Sequence, residues 1–275
     1  MPKIKINDVK IYYDVKGEGE PICLIIGWGA SSVMWIDQPE LLSKTHKVIL
    51  IDNRGGGRSS KPDIPYTMKM FVEDIKGVLD HLNITKLHLL GHSMGGMIVQ
   101  NFALTYPKML NSLILCCTSP FSMVPNILIR NPVAWFIKTK FTPESIKNLL
   151  SAIFTKKYVD FLFQKSFDEE IENYQKLIRV AIKYPPNIRG MNNQFSAIKD
   201  HNTLNRLGEI EIPTLIIAGR QDFILPPRHS KILAKYIPNS EFKILEGGHG
   251  LYVEAEKEFH ETIIDFLNRN KIFSK

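Results

Sequence analysis

The sequence contains few cysteines and no long apolar run. Three of its 275 residues are cysteine, and two of these are the adjacent Cys116 and Cys117. An odd number of cysteines inside apolar runs fits buried small side chains in a reducing compartment better than disulfides or a metal site. No apolar run approaches the roughly 20 residues that a membrane-spanning helix needs. The N-terminal residues lack the apolar segment of a secretion signal, so we expect a cytoplasmic protein with no membrane partner.

The sequence also lacks the glycine-rich phosphate-binding patterns Gly-x-x-x-x-Gly-Lys-[Ser/Thr] and, after a strand, Gly-x-Gly-x-x-Gly. We therefore expect no cofactor and no metal. The net charge is +7, and residues 121–205 contain 12 Lys/Arg against 7 Asp/Glu. The basic residues show none of the clustering or aromatic interleaving of a nucleic-acid interface, so we expect no nucleic-acid partner. A solvated basic surface explains the excess, with attraction of an anionic substrate as the alternative.

Short apolar runs alternate with amphipathic segments along most of the chain. This alternation predicts an α/β fold with a mostly parallel central sheet flanked by helices. Thr67 is placed to cap a helix whose apolar face contains Phe71, Ile75 and Leu79. The predicted strands are residues 3–6, 10–14, 22–26, 48–51, 87–90, 113–117, 214–218 and 241–245.

The alternation stops between about Pro120 and Leu204. This stretch has no clear strand, and it holds seven of the fifteen phenylalanines between Phe121 and Phe167. It predicts a helical cap (residues 120–205) inserted after the sixth strand of a core formed by residues 1–119 and 206–275. The phenylalanines could line an acyl pocket, although most are expected to form the core of the cap itself.

A serine lies between two glycines at the end of a strand-like run, in Gly91-His92-Ser93-Met94-Gly95. A helix-like segment follows as far as Tyr106. A sharp turn from strand to helix holds such a serine at a strained backbone angle, so it tolerates no Cβ two residues before or after. It also presents the hydroxyl at a helix N-terminus, which favours developing negative charge. In this context the pattern predicts a catalytic nucleophile.

A serine nucleophile needs a base and a group that orients the base. Among eight histidines, only His249 lies in a glycine-rich turn after a strand, and His201 is the main alternative. His46, His229 and His260 are expected to be exposed. Asp222 follows the strand 214–218 and is the candidate orienting acid, ahead of Glu246, which is close to His249 in sequence. The predicted triad is therefore Ser93, Asp222 and His249.

An oxyanion hole needs two hydrogen-bond donors directed at the oxygen of a tetrahedral intermediate. The backbone N–H of Met94, which follows the nucleophile, is one candidate. The glycine-rich turn Gly27-Trp28-Gly29 follows an early strand, and the backbone N–H of Trp28 is the second candidate.

The chain resembles the α/β-hydrolase fold enzymes over nearly its full length, and within them the capped esterase, enol-lactonase and non-haem-haloperoxidase-like branch. Four motifs support the resemblance: Ile51–Ser59, Gly91–Gly96, Gly219–Asp222 and Gly248–Gly250. In that branch a cap follows the sixth core strand, which matches the interruption at Pro120. The family usually has a histidine before the glycine of the oxyanion turn, where this chain has Ile26. That histidine usually supports the turn rather than reacting. Asp52 and Arg54 are interpreted as residues that hold a loop beside the site.

Together these features predict a serine hydrolase of the carboxylesterase or lactonase type. Its substrate would be a small ester or lactone with an apolar acyl part, cleaved through an acyl-enzyme on Ser93. A C–C bond hydrolase, an aminopeptidase-like amidase and a perhydrolase remain alternatives because each can use the same triad. A ligand receptor with vestigial hydrolysis is a further alternative. An aspartate nucleophile, as in dehalogenases and epoxide hydrolases of this architecture, is excluded by Ser93. The sequence does not indicate an oligomeric state.

Overall fold

The computed structural model of the chain describes residues 2–122, 147, 150–164 and 184–272. Within these ranges, no helix combines the length and the apolar character needed to cross a bilayer. Eight strands form one sheet in the order β1-β2-β4-β3-β5-β6-β7-β8. The strands are β1 Lys3–Ile6, β2 Val9–Lys16, β3 Glu20–Ile25, β4 His46–Ile51, β5 Leu87–His92, β6 Leu110–Cys116, β7 Thr214–Gly219 and β8 Ser240–Leu245.

The six strands from β3 to β8 are parallel to one another, whereas β1 and β2 pair antiparallel at one edge. The predicted α/β architecture with a mostly parallel sheet is confirmed. The central strands are apolar on both faces, as expected for a sheet covered on both sides. Because parallel strands all end at one edge, the loops after β3, β5, β7 and β8 meet there.

The described helices are α1 Gln38–Leu42, α2 Met68–His81, α3 Met94–Thr105, α4 Lys156–Gln164, α5 Ile188–Lys199, α6 Pro227–Tyr236, α7 Leu251–Glu254 and α8 Glu256–Arg269. The hydroxyl of Thr67 accepts the N–H of Met70 at 3.3 Å, so the predicted N-cap of α2 is confirmed. In α8 the apolar face that contains Phe259, Ile263 and Phe266 is buried.

Two apolar cores lie on opposite faces of the sheet. One packs α2, α3 and α6 against the sheet, and the other packs α1, α7 and α8. Fully buried aromatic side chains such as Phe71, Phe102 and Phe259 fill these cores. Burying each large apolar side chain contributes roughly 1.5–3 kcal/mol, so the two cores give the strand ends a rigid support.

The described elements between β6 and β7 are helical, namely α4, α5 and a short 3-10 turn at Leu204–Glu209. Within the described part of this stretch, strand pairing is limited to a single bridge between Phe121 and Asn202. A small cluster of Leu150, Phe154 and Val159 forms its own apolar centre. Three of the phenylalanines counted above, at positions 136, 141 and 167, lie outside the described residues. The division into a core and a cap of residues 120–205 stays a prediction.

Candidate active site

Ser93 connects the end of β5 to the start of α3. Its backbone has φ 57° and ψ −123°, a conformation that costs a residue with a Cβ about 1–3 kcal/mol. The Ser93 N–H donates to the carbonyl of Cys116 at 3.0 Å, and the Thr118 hydroxyl donates to the Ser93 carbonyl at 2.8 Å. The Ser93 hydroxyl makes no capping bond to α3. These contacts hold the strained turn and leave the hydroxyl available for chemistry.

The glycines around Ser93 allow close approach of neighbouring backbone. A Cβ at Gly91 would lie 2.4 Å from the carbonyl oxygen of Gly95, and one at Gly95 would lie 2.1 Å from that of Ile25. Both distances are far below a tolerable contact. The sequence argument that no Cβ fits two residues before or after the serine is confirmed.

The carboxylate of Asp222 accepts hydrogen bonds from several donors. One oxygen, Oδ1, accepts the N–H groups of Ile224 at 2.9 Å and Leu225 at 2.8 Å. The other, Oδ2, accepts Nδ1–H of His249 at 2.8 Å. Burial by itself would raise the pKa of Asp222. The charge and hydrogen bond of His249, the Leu225 N–H and the Cys117 thiol outweigh burial and lower that pKa. The carboxylate is therefore ionised, and it directs Nδ1–H of the imidazole towards itself.

The turn that carries His249 is held by the described residues between β6 and β7, which are called the inserted segment from here on. The N–H of Gly250 donates to the carbonyl of Ile153 at 3.0 Å. Glu254 accepts the N–H of Gly248 at 2.8 Å and also the hydroxyl of Thr155 at 2.6 Å. The backbone on both sides of His249 is thus fixed, which limits the positions its ring can adopt.

His92, the residue before Ser93, contacts the histidine turn directly. Its Nε2–H donates to the carbonyl of His249 at 2.8 Å, and the two rings lie 4.7 Å apart between centroids. Burial, with a smaller contribution from the nearby His249, lowers the pKa of His92 to about 3. A neutral His92 places no positive charge beside His249. The turn with the candidate nucleophile is therefore tied to the turn with the candidate base.

The other histidines lie apart from this pair. His201, the alternative base, is buried with Nε2–H donating to the carbonyl of Ser119 and Nδ1 facing the side-chain amide of Asn101. The expectation that His46 and His229 are exposed is wrong, since they are 7% and 4% exposed. Tertiary packing covers both: His46 lies against His88, and His229 packs edge-on against Phe121. His260 is partly buried.

Glu246, the alternative orienting acid, and the charged residues Asp52 and Arg54 bind groups other than His249. Glu246 is exposed and pairs with Arg220, away from the imidazole of His249. Asp52 accepts the N–H of Ser32 at 2.7 Å and the guanidinium of Arg58, so it fixes the loop after β4. Arg54 makes a buried two-point pair with Asp74, both contacts at 2.6 Å. These contacts agree with the interpretation of Asp52 and Arg54 as loop-holding residues.

The turn with the candidate oxyanion donor Trp28 begins beside Ser93, and Met94 follows the serine directly. A Cβ at Gly27 would stand 2.9 Å from Cβ and 3.3 Å from Oγ of Ser93, so the turn before Trp28 borders the serine. Met94 is the first residue of α3, and the N–H groups in the first turn of a helix have no partner within the helix. Gly29 has φ 69°, the left-handed conformation that glycine adopts without strain.

Two groups of His, Cys and Asp side chains near the candidate triad bring together atoms that could bind a metal ion. The ligand atoms of Cys117, Asp222 and His249 lie within 4.8 Å of one another, as do those of His92, Cys116 and Cys117. Burial raises the pKa of Cys117 well above its usual value, so its thiol stays protonated. Protonated thiols are poor metal ligands. Nδ1 of His249 is already used by Asp222, so the first set fits a hydrogen-bond network better than a metal site.

Sequence reasoning missed several residues that hold the site. These are His92, Cys117, Thr118 and Gln194. Cys117 follows β6 with φ 45°, a strained conformation for a residue with a side chain, and its thiol lies within 4.8 Å of the Asp222 carboxylate and lowers the pKa of that group. The local sequence around Cys117, Thr118 and Gln194 carries no signal for these roles because their partners are distant in the chain. His92 could have been noticed because it lies inside the glycine-serine motif.

A family model described as the alpha/beta hydrolase fold matches residues 20–256. The chain is 28% identical over 272 residues to a putative carbamate hydrolase RutD from Azorhizobium caulinodans, covering 97% of this chain and 98% of the relative. It is 28% identical over 288 residues to a 2-hydroxy-6-oxononadienedioate/2-hydroxy-6-oxononatrienedioate hydrolase from Pseudomonas putida, covering 94% and 92%.

Among solved structures, the enol-lactonase from Burkholderia xenovorans LB400 has a similar fold. The TM-score is 0.85 at 24% identity, with 97% of this chain and 100% of the other covered. This likeness shows a shared fold. The family model that matches most of the chain, the parallel sheet and the serine turn after β5 lead to one conclusion: the chain belongs to the α/β-hydrolase fold family.

Proposed function

We propose that the chain is a serine hydrolase that cleaves small carboxylic esters or lactones with an apolar acyl part. The observation that carries the proposal is the hydrogen bond of 2.8 Å between Asp222 and His249, on a turn that is bonded in turn by His92, the residue before Ser93. An ionised acid, a tautomer-fixed imidazole and a strained serine are the three groups that acyl transfer needs.

In this proposal His249 donates Nδ1–H to Asp222, which leaves the lone pair of Nε2 free to act as a base. Nε2 takes the proton of Ser93 as the serine oxygen attacks the carbonyl carbon. The protonated imidazole, stabilised by the Asp222 carboxylate, then donates that proton to the leaving alcohol or ring oxygen. A water molecule, deprotonated by His249, then attacks the acyl-enzyme. The bond between the acyl carbon and the Ser93 oxygen breaks, His249 returns the proton to that oxygen, and the acid is released. The N–H groups of Trp28 and Met94 bind the oxyanion in both steps.

A carbamate is a second candidate substrate, because the relative from Azorhizobium caulinodans is named a putative carbamate hydrolase. A C–C bond hydrolase is a third, since the Pseudomonas putida relative is named for a 2-hydroxy-6-oxo dienedioate. Both reactions begin at a carbonyl group and can use the same triad. An amidase, a perhydrolase and a ligand receptor remain alternatives without an observation that favours them.

The test is turnover of p-nitrophenyl esters from acetate to long acyl chains, beside simple lactones, a p-nitrophenyl carbamate and a 2-hydroxy-6-oxo dienoate. Ser93→Ala is the diagnostic variant, and Ser151→Ala, an exposed serine on the inserted segment, is the matched control. We expect an optimum in acyl length that disappears in Ser93→Ala and persists in Ser151→Ala. Preference for the carbamate or the dienoate would replace the ester assignment, and unchanged turnover by Ser93→Ala would reject the serine mechanism.

A further inference from the structure

At one end the Ser31 hydroxyl donates to Asp52 at 3.1 Å, but the core of the fold gives little support to the middle of the turn that carries the candidate oxyanion donor. It runs from Gly27 to Ser31 and contains two glycines, so its backbone has many accessible conformations. The side chain of Ile26, just before it, is apolar and cannot hydrogen-bond the turn. Below the turn, the side-chain amide of Asn53 donates to the carbonyl of Ile26 at 2.8 Å. This contact holds the start of the turn and leaves Trp28 and Gly29 to be held from elsewhere.

The missing support comes from α5, in the inserted segment. Gln194 is completely buried, and its Oε1 accepts the N–H of Gly29 at 2.8 Å. Its Nε2 donates to the carbonyl of Arg54 at 2.7 Å. One amide side chain therefore bridges the turn after β3 and the loop after β4. Both of its ends are satisfied in a dry environment, where such a bridge is strong and holds one geometry.

Two further contacts from the same helix act on the same turn. The indole Nε1–H of Trp28 donates to the carbonyl of Met191 at 2.8 Å. The side chain of Met191 reaches to within 3.1 Å of the position that a Cβ on Gly29 would occupy. The residue that offers the oxyanion N–H and the residue after it are thus both held by α5 rather than by the core of the fold.

We infer that Gln194 is a positioning residue that sets the direction of the Trp28 N–H in the oxyanion hole. The inference rests on the proposed function, since the oxyanion hole is part of it. A misplacement of about 1 Å in a catalytic group can cost roughly a hundredfold in rate. Both ends of the Gln194 amide bond backbone groups of the turn after β3 and the loop after β4, so its effect would reach the chemistry through the position of the turn.

The decisive variant is Gln194→Met, which keeps the length of the side chain and removes both hydrogen bonds. Asn193→Met is the matched control, because Asn193 lies on the same helix but its side chain bonds Pro62 and Asp63 instead. We expect Gln194→Met to lower kcat on the best ester by about 10- to 100-fold with KM changed less than about threefold. We expect Asn193→Met to stay within about twofold of the wild type in both, because it leaves the turn untouched.

A trifluoromethyl ketone inhibitor reports on the oxyanion hole, because its adduct with the serine carries a negative oxygen. Its affinity should fall in Gln194→Met by the same factor as kcat/KM. The rate of Ser93 labelling by a fluorophosphonate gives a parallel readout that does not need turnover. A raised KM with unchanged kcat and unchanged inhibitor affinity would overturn the inference.

A second variant, Gln194→Glu, tests the positioning role even if Gln194→Met does not fold. A protonated carboxyl can accept from Gly29 and donate to the Arg54 carbonyl, whereas a carboxylate loses the second bond. The ratio of kcat for Gln194→Glu to that of the wild type should therefore rise as the pH falls. A ratio near one at every pH would contradict the inference. If Ser93→Ala keeps the activity, the proposed function fails; if Ser93→Ala is inactive and the Gln194 variants match the wild type, only the positioning role fails.

Discussion

Replacement of His201 should reduce the loss in free energy of unfolding that this protein shows as the pH falls. His201 is 3% exposed, and burial lowers its pKa to about 4, below the 6.5 expected in the unfolded chain. Its Nε2–H donates to the carbonyl of Ser119, and Nδ1 faces the donor amide of Asn101. A proton added to Nδ1 would oppose that amide. His201→Gln offers one donor and one acceptor, as the neutral imidazole does, and it does not titrate.

The direction in which stability changes with pH follows from proton binding. Between pH 6.5 and 4 the unfolded chain binds a proton at His201 and the folded chain does not, so stability falls as the pH falls through this window. With 1.36 kcal/mol per pKa unit, the wild type should lose about 2 kcal/mol through this group between pH 7 and 5. For a chain of this size that loss corresponds to roughly 4–8 °C in Tm.

The assay is urea unfolding followed by tryptophan fluorescence at pH 7, 6 and 5 for the wild type and His201→Gln. Other buried histidines contribute to both proteins, so the difference between the two slopes isolates His201. At pH 7 the two free energies of unfolding should agree within about 1 kcal/mol, since the hydrogen bonds are retained. Equal losses of stability between pH 7 and 5 would refute the reasoning.

Three further predictions concern the acid, the buried ion pair and the serine turn. Asp222→Asn should lower kcat/KM on esters about 10⁴-fold with little change in KM, because the amide stabilises the wrong imidazole tautomer. A loss of kcat/KM below tenfold in steady-state kinetics would contradict this prediction. Arg54→Met should lower the free energy of unfolding by about 3–5 kcal/mol, since the Asp74 carboxylate is left buried and unpaired. Adding Asp74→Leu should recover most of that loss, and additive losses in urea titrations would count against the explanation. Gly96→Ala should cost about 1–3 kcal/mol, because its Cβ would lie 2.5 Å from Thr118; an unchanged Tm would disprove the steric argument.

Parts of the fold and site depend on local sequence and were predictable for that reason. The positions of the strands follow from apolar periodicity. The N-cap of α2 follows from a side chain that hydrogen-bonds the backbone a few residues away. The boundaries of β1 were predicted to the residue, and β3 and β6 were displaced by one to three residues at their ends. Positions of the three candidate catalytic residues followed from turns after β5, β7 and β8, which a parallel sheet brings to one edge.

Burial of the histidines was harder to predict. His46 is polar and lies at the start of β4, so its sequence neighbours suggested exposure. Its ring is covered by His88 from β5, two strands away in the sheet. His229 is covered by Phe121, which comes from the far side of the inserted segment. Periodicity reflects residues a few positions apart in the sequence, so it does not predict contacts between distant residues.

The sequence by itself determined the alternation of strands and helices, the strained serine turn and the order of the candidate triad. Each of these depends on backbone angles and side-chain spacing over fewer than about twenty residues. Only the tertiary structure decided what holds the site in place. Gln194 reaches Gly29 across 165 residues, and His92 reaches His249 across 157. Such contacts exist because the sheet and the inserted helices bring distant segments together, and pairings of that separation leave no periodic signal in the chain.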